Sequence, residues 1–214
     1  MTQGGRILRL PVLPVKSMVI FPVLAFPINI SRYRSRGGVE LAVESNSHQM
    51  AIFAQKSPNI EEPEQDDIYQ VGSLVKVIKH LKLPGNKLSV VIQGLSRIRL
   101  LRFFDEGDRY MAEVEVLEKF EDEDYLEERM EEVRELALKV FELSPNVPTE
   151  SSFVIRATDS ASDLADIIAV NINADQEEKQ SLLATLDVEE RLDRVMTLLQ
   201  KEVNLLELSN RIQS

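Results

Sequence analysis

Hydrophobic positions follow two different periods along the 214 residues, and the change falls near Lys119. Before it, apolar residues come in short runs or alternate with polar ones. "LRLPVLPVKSMVIFPVLAFPI" (residues 8–28) is an apolar run broken by Pro11, Pro14, Pro22 and Pro27. It predicts short β segments with the prolines at sheet edges or strand ends. Val39, Leu41, Ala42 and Val43 follow a Gly37-Gly38 break and predict a short helix closed by Ser45 and Asn46. "MAIFAQK" (residues 50–56) has the length of a strand, and the polar "SPNIEEPEQDD" after it reads as a loop. "YQVGSLVKVIKHLKL" alternates through Val71, Leu74, Val75, Val77 and Ile78. "PGNK" then predicts a hairpin turn, since Pro fixes one φ and Gly or Asn tolerates a positive one. "LSVVIQGLSRIRLLRF" supplies the return strand, with Gly94 marking a bulge or a close backbone approach. "RYMAEVEVLEKF" alternates as one more strand. Residues 7 to 118 therefore read as about six strands in a barrel or sandwich, with one or two short helices.

Beyond Lys119 the period lengthens. Leu126, Met130, Val133, Leu136, Ala137, Val140 and Phe141 recur at helical spacing, and Pro145 and Pro148 stop the helix. Asp122 to Asp124 lie near its start, where the helix dipole favours negative charge. Three further helices carry start signals three residues apart: Ser160 with Asp163, Asp175 with Glu178, and Asp187 with Glu190. The last is long, from about residue 187 to 213. Leu192, Met196, Leu199, Val203 and Leu206 form a heptad seam on it, widened by Leu205, Leu208 and Ile212. The expected fold class is α+β: a β-rich domain over 1–118, then a helical bundle over 119–214 that ends in a long helix.

Composition narrows the functions open to such a chain. The apolar opening is no membrane anchor or secretory signal: four prolines and Lys16 interrupt it, and neither a 20-residue helical span nor a cleavage pattern is present. There is no cysteine, which excludes disulfides and thiolate metal sites and fits a reducing, cytoplasmic setting. Charge is uneven. Residues 1–118 hold 15 Lys and Arg against 13 Asp and Glu, leaving 10 against 23 for residues 119–214. The acidic half repels nucleic acid and anionic membranes.

Sites of chemistry are absent from the pattern. The sequence has no G-x-x-x-x-G-K-[ST], no G-x-G-x-x-G after a strand and no G-x-S-x-G elbow. His48 and His80, the only histidines, stand on separate segments without a paired carboxylate motif. The acidic run Glu121 to Glu135 lacks the glycine and alternating oxygen ligands of a calcium loop and reads as a solvated helix face. Arg32, Arg34 and Arg36 alternate with a single aromatic, Tyr33, and read as a surface strand end rather than a stacking platform. Arg97, Arg99 and Arg102 form a stripe whose ordinary fate is pairing with acidic side chains. No catalytic residue, metal or cofactor is expected.

Taken in order, several stretches resemble the amino-terminal domain of the ATP-dependent Lon protease. They are "LPVLPVKSMVIFP", "FAQKSPNIEEPEQDDIYQVGSLVKV", "LKLPGNKLSVVIQGLSRIRL", "LADIIAVNI" and "EEKQSLLATLDVEERLDRVMTLLQKEV", and together they span nearly the whole chain. Val23 departs from the family's usual turn-tolerant residue after Phe-Pro, and "SRYRSRGGVE" stands where the family continues directly into a helix. The resemblance implies a PUA-like barrel followed by a bundle. It also implies no ATPase P-loop and no Ser–Lys protease dyad in this chain, and a role in recognising unfolded or damaged proteins and assembling a hexamer. Client binding needs accessible apolar surface with little selectivity, so the candidates are the bends Phe21-Pro22 and Phe26-Pro27 and the hairpin tip Leu83-Pro84. Leu192, Met196, Leu199, Val203 and Leu206 are the candidates for self-association with other Lon subunits. The implied partners are thus protein clients and sister subunits, without nucleic acid or membrane. The rival reading is a free-standing PUA-like module that binds RNA or another protein.

Overall fold

A computed structural model describes residues 5–117, 119 and 124–214. The chain divides between Glu118 and Lys119 into two compact units.

The first unit contains six strands: β1 (Ile7–Val15), β2 (Ala25–Ile30), β3 (Gln49–Ala54), β4 (Val71–Leu83), β5 (Lys87–Asp105) and β6 (Tyr110–Leu117). They run in the order β2-β5-β4-β3-β1-β6, and a further pairing of β5 with β6 closes all but β2 into a barrel. β5 makes this possible by its length of 19 residues. Its first half pairs with β2 and its second half with β6, while β4 lies along the other side. A register shift between Leu74 and Val75 sets Leu95 outside the ladder beside Gly94, the bulge expected there.

Pro11 and Pro14 lie inside β1, not at its ends, and β1 sits between β3 and β6. The strand tolerates them because it changes partner at Val12: Ile7 to Val12 pair with β6, and Val12 to Val15 with β3. Each proline thus has a neighbour on one side only, and no two-sided ladder is broken.

The helix expected after Gly37-Gly38 starts earlier. α1 spans Tyr33–Glu44 and holds both glycines, so Arg34 and Arg36 lie on a helix and Arg32 is its N-cap, not a strand end. Helix propensity argues against two glycines in the middle, but close packing overrides it. A Cβ on Gly37 would lie 2.0 Å from the Asp108 carbonyl oxygen. Two apolar clusters fill the unit. One gathers Leu13, Ile28, Ile30, Val39, Met50, Val77 and Ile92 beneath α1, and the other gathers Val12, Phe53, Leu74, Ile98 and Val114.

The second unit contains α2 (Glu127–Leu143), α3 (Thr149–Ala157), α4 (Ala161–Asn171), α5 (Gln176–Ala184) and α6 (Val188–Gln213). Asp122, expected near the start of α2, lies outside the described residues. Ser160, Asp175 and Asp187 are the N-caps anticipated from their spacing, accepting from the backbone N–H of Asp163 at 3.2 Å, Glu178 at 2.8 Å and Glu190 at 2.8 Å. α3 was not foreseen: its N-cap is Pro148, no side chain caps it, and of its residues Ile155 alone is buried. The order of a closed sheet followed by helices and a final long helix is the expected α+β class.

Candidate functional site

The bend at Phe21-Pro22 is not a surface feature. Phe21 is fully buried and Pro22 is buried beside it. The loop is fastened by its backbone: Ser73 Oγ donates to Ile20 O at 2.6 Å, and Gly94 N and Gln93 Nε2 donate to Leu24 O at 3.0 and 2.9 Å. A Cβ at position 94 would stand 2.6 Å from Phe21 O, so the return strand accommodates the bend only because Gly94 has none. Phe26 is half-buried and packs against the core cluster beneath α1. These three residues are withdrawn from the accessible surface expected of them.

Pro27 and Leu83 fare differently. Cross-strand partners share a sheet face, and Pro27 pairs with Val91, which pairs in turn with Lys79. The neighbouring rows are Asn29–Ser89–Leu81 and Lys87–Leu83. Pro27, Val91, Leu81 and Leu83 therefore lie on one outward face of the β2-β5-β4 sheet. Pro84 projects from the turn at its end, where Gly85 and Asn86 take positive φ values of 78° and 57°. Leu81, 62 % exposed, is the most accessible apolar residue of the face, and sequence reasoning missed it. So too Ile78, which a register shift between Val77 and Lys79 turns out of the core. The missed signal was "IKHLKL", apolar residues continuing among polar ones and lysines beyond the length a barrel strand needs. Lys76, Lys79 and Lys87 are exposed on this face, Lys82 pairs with buried Leu88 on the other, and no Asp or Glu occurs from Ile68 to Phe104. The face is apolar with a positive fringe.

Elsewhere on the unit three exposed or half-buried arginines are committed to ion pairs. Arg34 pairs with Glu62 at 2.9 Å and Asp105 at 3.0 Å, Arg99 with Glu115 at 3.3 Å, and Arg102 with Glu113 at 3.2 Å. A cavity of about 420 Å³ lies between the end of β1, β2 and the first turn of α1. Its lining includes Leu13, Ile28 and Ile30, with Arg32, Ser35 and Glu61. Burial lowers the Arg32 guanidinium pKa from its ordinary value, against the opposing attraction of Glu61. Glu61 also hydrogen-bonds Lys16, and that bond, followed by the charge of Lys16, holds its carboxyl below the usual range. Among the described residues no group of three His, Asp or Glu side chains is placed to hold a metal.

In the helical unit most of the heptad seam is spent internally. Leu192, Leu199 and Val203 are buried, and α6 packs on α2 and α4. Met196 and Leu206 are half-buried. The outward apolar residues of α6 are instead Leu205, Leu208 and Ile212 at 57, 56 and 78 % exposure. α6 also carries Arg191, 2 % exposed, whose Nη1 lies 3.4 Å from the buried Asp166 and 2.8 Å from Ser162 Oγ. Its Nε donates to Thr185 O at 2.8 Å. Neither member of this buried pair stands out in the sequence, because helical periodicity marks apolar positions only. Among the described residues no helix is long and apolar enough to cross a membrane.

Comparison with known proteins agrees with this architecture. Residues 9–201 match the family model of the ATP-dependent protease La (LON) substrate-binding domain. The chain is 36 % identical over 206 residues to a Lon protease of Dictyoglomus thermophilum and 31 % identical over 212 residues to that of Escherichia coli K12. These alignments take in 96 and 97 % of this chain but 26 % of each relative, so it spans about a quarter of their length. Among solved structures it is similar to the N-terminal domain of a Mycobacterium avium complex Lon protease. That match has a TM-score of 0.74 at 24 % identity and covers 90 % of this chain and 98 % of the other.

Proposed function

The chain belongs to the Lon substrate-binding domain family, and from that premise we propose that it binds unfolded or damaged polypeptides as the client-recognition part of an ATP-dependent Lon-type protease. The observation that carries this reading is the outward face of the β2-β5-β4 sheet. Leu81 at 62 % exposure, with Pro27, Val91 and Leu83, offers apolar contact without a shaped pocket. Such a surface grips many sequences and selects few. The lysine fringe favours polypeptides carrying negative charge and leaves the acidic unit to keep the assembly soluble.

Within the same reading the chain itself performs no chemistry, works in the cytoplasm and associates with sister subunits. Exposed Leu205, Leu208 and Ile212 support self-association along α6, in place of the largely buried Leu192 to Leu206 seam. The test is fluorescence anisotropy of a labelled, permanently unfolded polypeptide titrated with the protein, with the same sequence inside a stable folded domain as control. We expect saturable binding of the unfolded form alone, weakened about tenfold by Leu81→Ser, a change costing about 1.4 kcal/mol of affinity. Equal binding of both forms, or of neither, overturns the reading.

A further inference from the structure

The cavity beside α1 has the makings of an anion site. Arg32 makes three hydrogen bonds, all to neutral oxygens: the Pro14 carbonyl, Gln55 Oε1 at 2.6 Å and the Glu61 carbonyl at 3.3 Å. A guanidinium has five N–H groups, which leaves the Nε–H and one Nη2–H, donors matched in spacing to the two oxygens of a carboxylate. Arg32 is also the N-cap of α1, where no side chain caps the helix and no acidic residue stands in the first turn. That end of the helix carries partial positive charge. Ser35, in the same turn, lines the cavity at 2 % exposure, and its Oγ has no hydrogen-bond partner. A buried hydroxyl without a partner is uncommon in a folded protein and points to something that completes it.

The size and charge of the cavity narrow the ligand. Lys16 and Arg32 against Glu61 leave one surplus positive charge, which suits a monoanion. A volume of about 420 Å³ exceeds a carboxylate, and Leu13, Ile28, Ile30 and the rim residue Met18 give the rest an apolar wall. The wall also offers backbone. Leu24 O accepts from Gly94 N, so alternation turns the backbone groups of Phe26, Ile28 and Ile30 toward β5 and those of Ala25, Pro27 and Asn29 away from it. Among the described residues no strand pairs with that outer edge. The facing edge of β1 is closed, because Pro14 has no N–H and its carbonyl is taken by Arg32.

We propose that this cavity captures the C-terminal end of a polypeptide: the carboxylate on Arg32 and Ser35, an aliphatic last side chain against Leu13, Ile28 and Ile30, and the preceding backbone on the edge of β2 at Asn29. The peptide runs parallel to β2, because Arg32 follows the end of that strand. Strand addition and terminal-carboxylate capture are each established ways of holding a peptide. The site rests on the client-binding reading and supplies it with a second, end-specific contact.

Three forms of one labelled decapeptide ending in an aliphatic residue test the proposal: the free acid, the C-terminal amide, and the amide with a glutamate near its end. The acid is expected to bind about tenfold tighter than the plain amide, in keeping with a charge-assisted bidentate bond. Ser35→Ala is expected to weaken the acid several-fold without lowering the melting temperature, since the parent hydroxyl has no partner to lose. In the unmutated protein, amide exchange at Asn29 slows on binding, while Ile28 and Ile30, already turned to β5, are unchanged. Equal affinity of acid and amide overturns the site, and continued binding of the unfolded polypeptide then leaves the client reading standing. A glutamate-bearing amide as tight as the acid overturns the chain-end assignment. Failure of every form, unfolded polypeptide included, overturns both.

Discussion

In the β unit the contacts that hold the core join residues far apart in the chain: Ile7 pairs with Glu115, and the backbone of Phe21 lies on Gly94. In the helical unit the signals that start α4, α5 and α6 lie three residues from the groups they satisfy. One half is specified by register and close approach, the other by local capping, with the buried Arg191–Asp166 pair and the bonds of Arg134 to the Ile155 and Thr158 carbonyls among its non-local polar links. The difference bears on function. The barrel's non-local closure leaves β2 as an unpaired edge and carries the hairpin beyond the barrel, and both candidate binding surfaces arise there. The bundle consumes most of its apolar stripe internally and, apart from Leu205, Leu208 and Ile212 on α6, presents acid outward.

The sharpest way to break this contrast is at the buried pair. Asp166→Ala removes the carboxylate from a guanidinium that is 2 % exposed. It is expected to cost the helical unit about 3 kcal/mol, because a buried cation loses its countercharge. Hydrogen exchange of α4 and α6 amides reads the loss, while amides of β3 and β4 keep their protection. Replacing both partners with apolar residues, Asp166→Leu with Arg191→Met, is expected to restore most of the protection, since an apolar pair carries no desolvation cost. A double variant as unstable as the single one would mean that Arg191 is needed for its bonds to Thr185 and Ser162.

Gly94→Ala strikes the other half. The added Cβ would meet Phe21 O and Val23 N at 2.6 Å, backbone atoms that cannot swing aside. A loss of about 1–3 kcal/mol is expected, the usual cost of overpacking, read as faster exchange at Ser73 and along β5. This glycine also shows how far the sequence could be read. Its place in a strand announced a bulge or a close approach, and the fold contains both, but nothing local said that Phe21-Pro22 was what approached. The same limit hid the burial of Phe21, the start of α1 at Tyr33 and the prolines within β1, because each depends on a partner elsewhere in the chain. Six strands, the hairpin turn and three helix starts were legible because turn chemistry and capping are written within a few residues. Of the candidate site, Pro27 and Leu83 were found as apolar bends. Leu81 was not, since alternation alone cannot tell a strand inside a barrel from one that runs past it. Ser35 and Arg32 needed the cavity.

The smallest effect sharpens the contrast from the capping side. Asp175 and Glu178 form a reciprocal capping box on α5, the Asp175 side chain accepting from Glu178 N at 2.8 Å and Glu178 Oε2 accepting from Asp175 N at 3.1 Å. Asp175→Ala is expected to cost about 1 kcal/mol, and exchange should quicken in the first turn of α5 with α6 unaffected. Glu178→Gln keeps an acceptor at the same reach and should cost less than half of that, since Gln serves the same position in a capping box. If instead α6 loosens together with α5, the two helices share one cooperative unit. Their starts would then be local in sequence but not in energy, and capping would be a marker of where helices begin rather than a cause of their stability. If only α5 responds, the helical unit is assembled from separately punctuated pieces, as its sequence suggests, and the barrel remains the part of the chain whose order must be reached all at once.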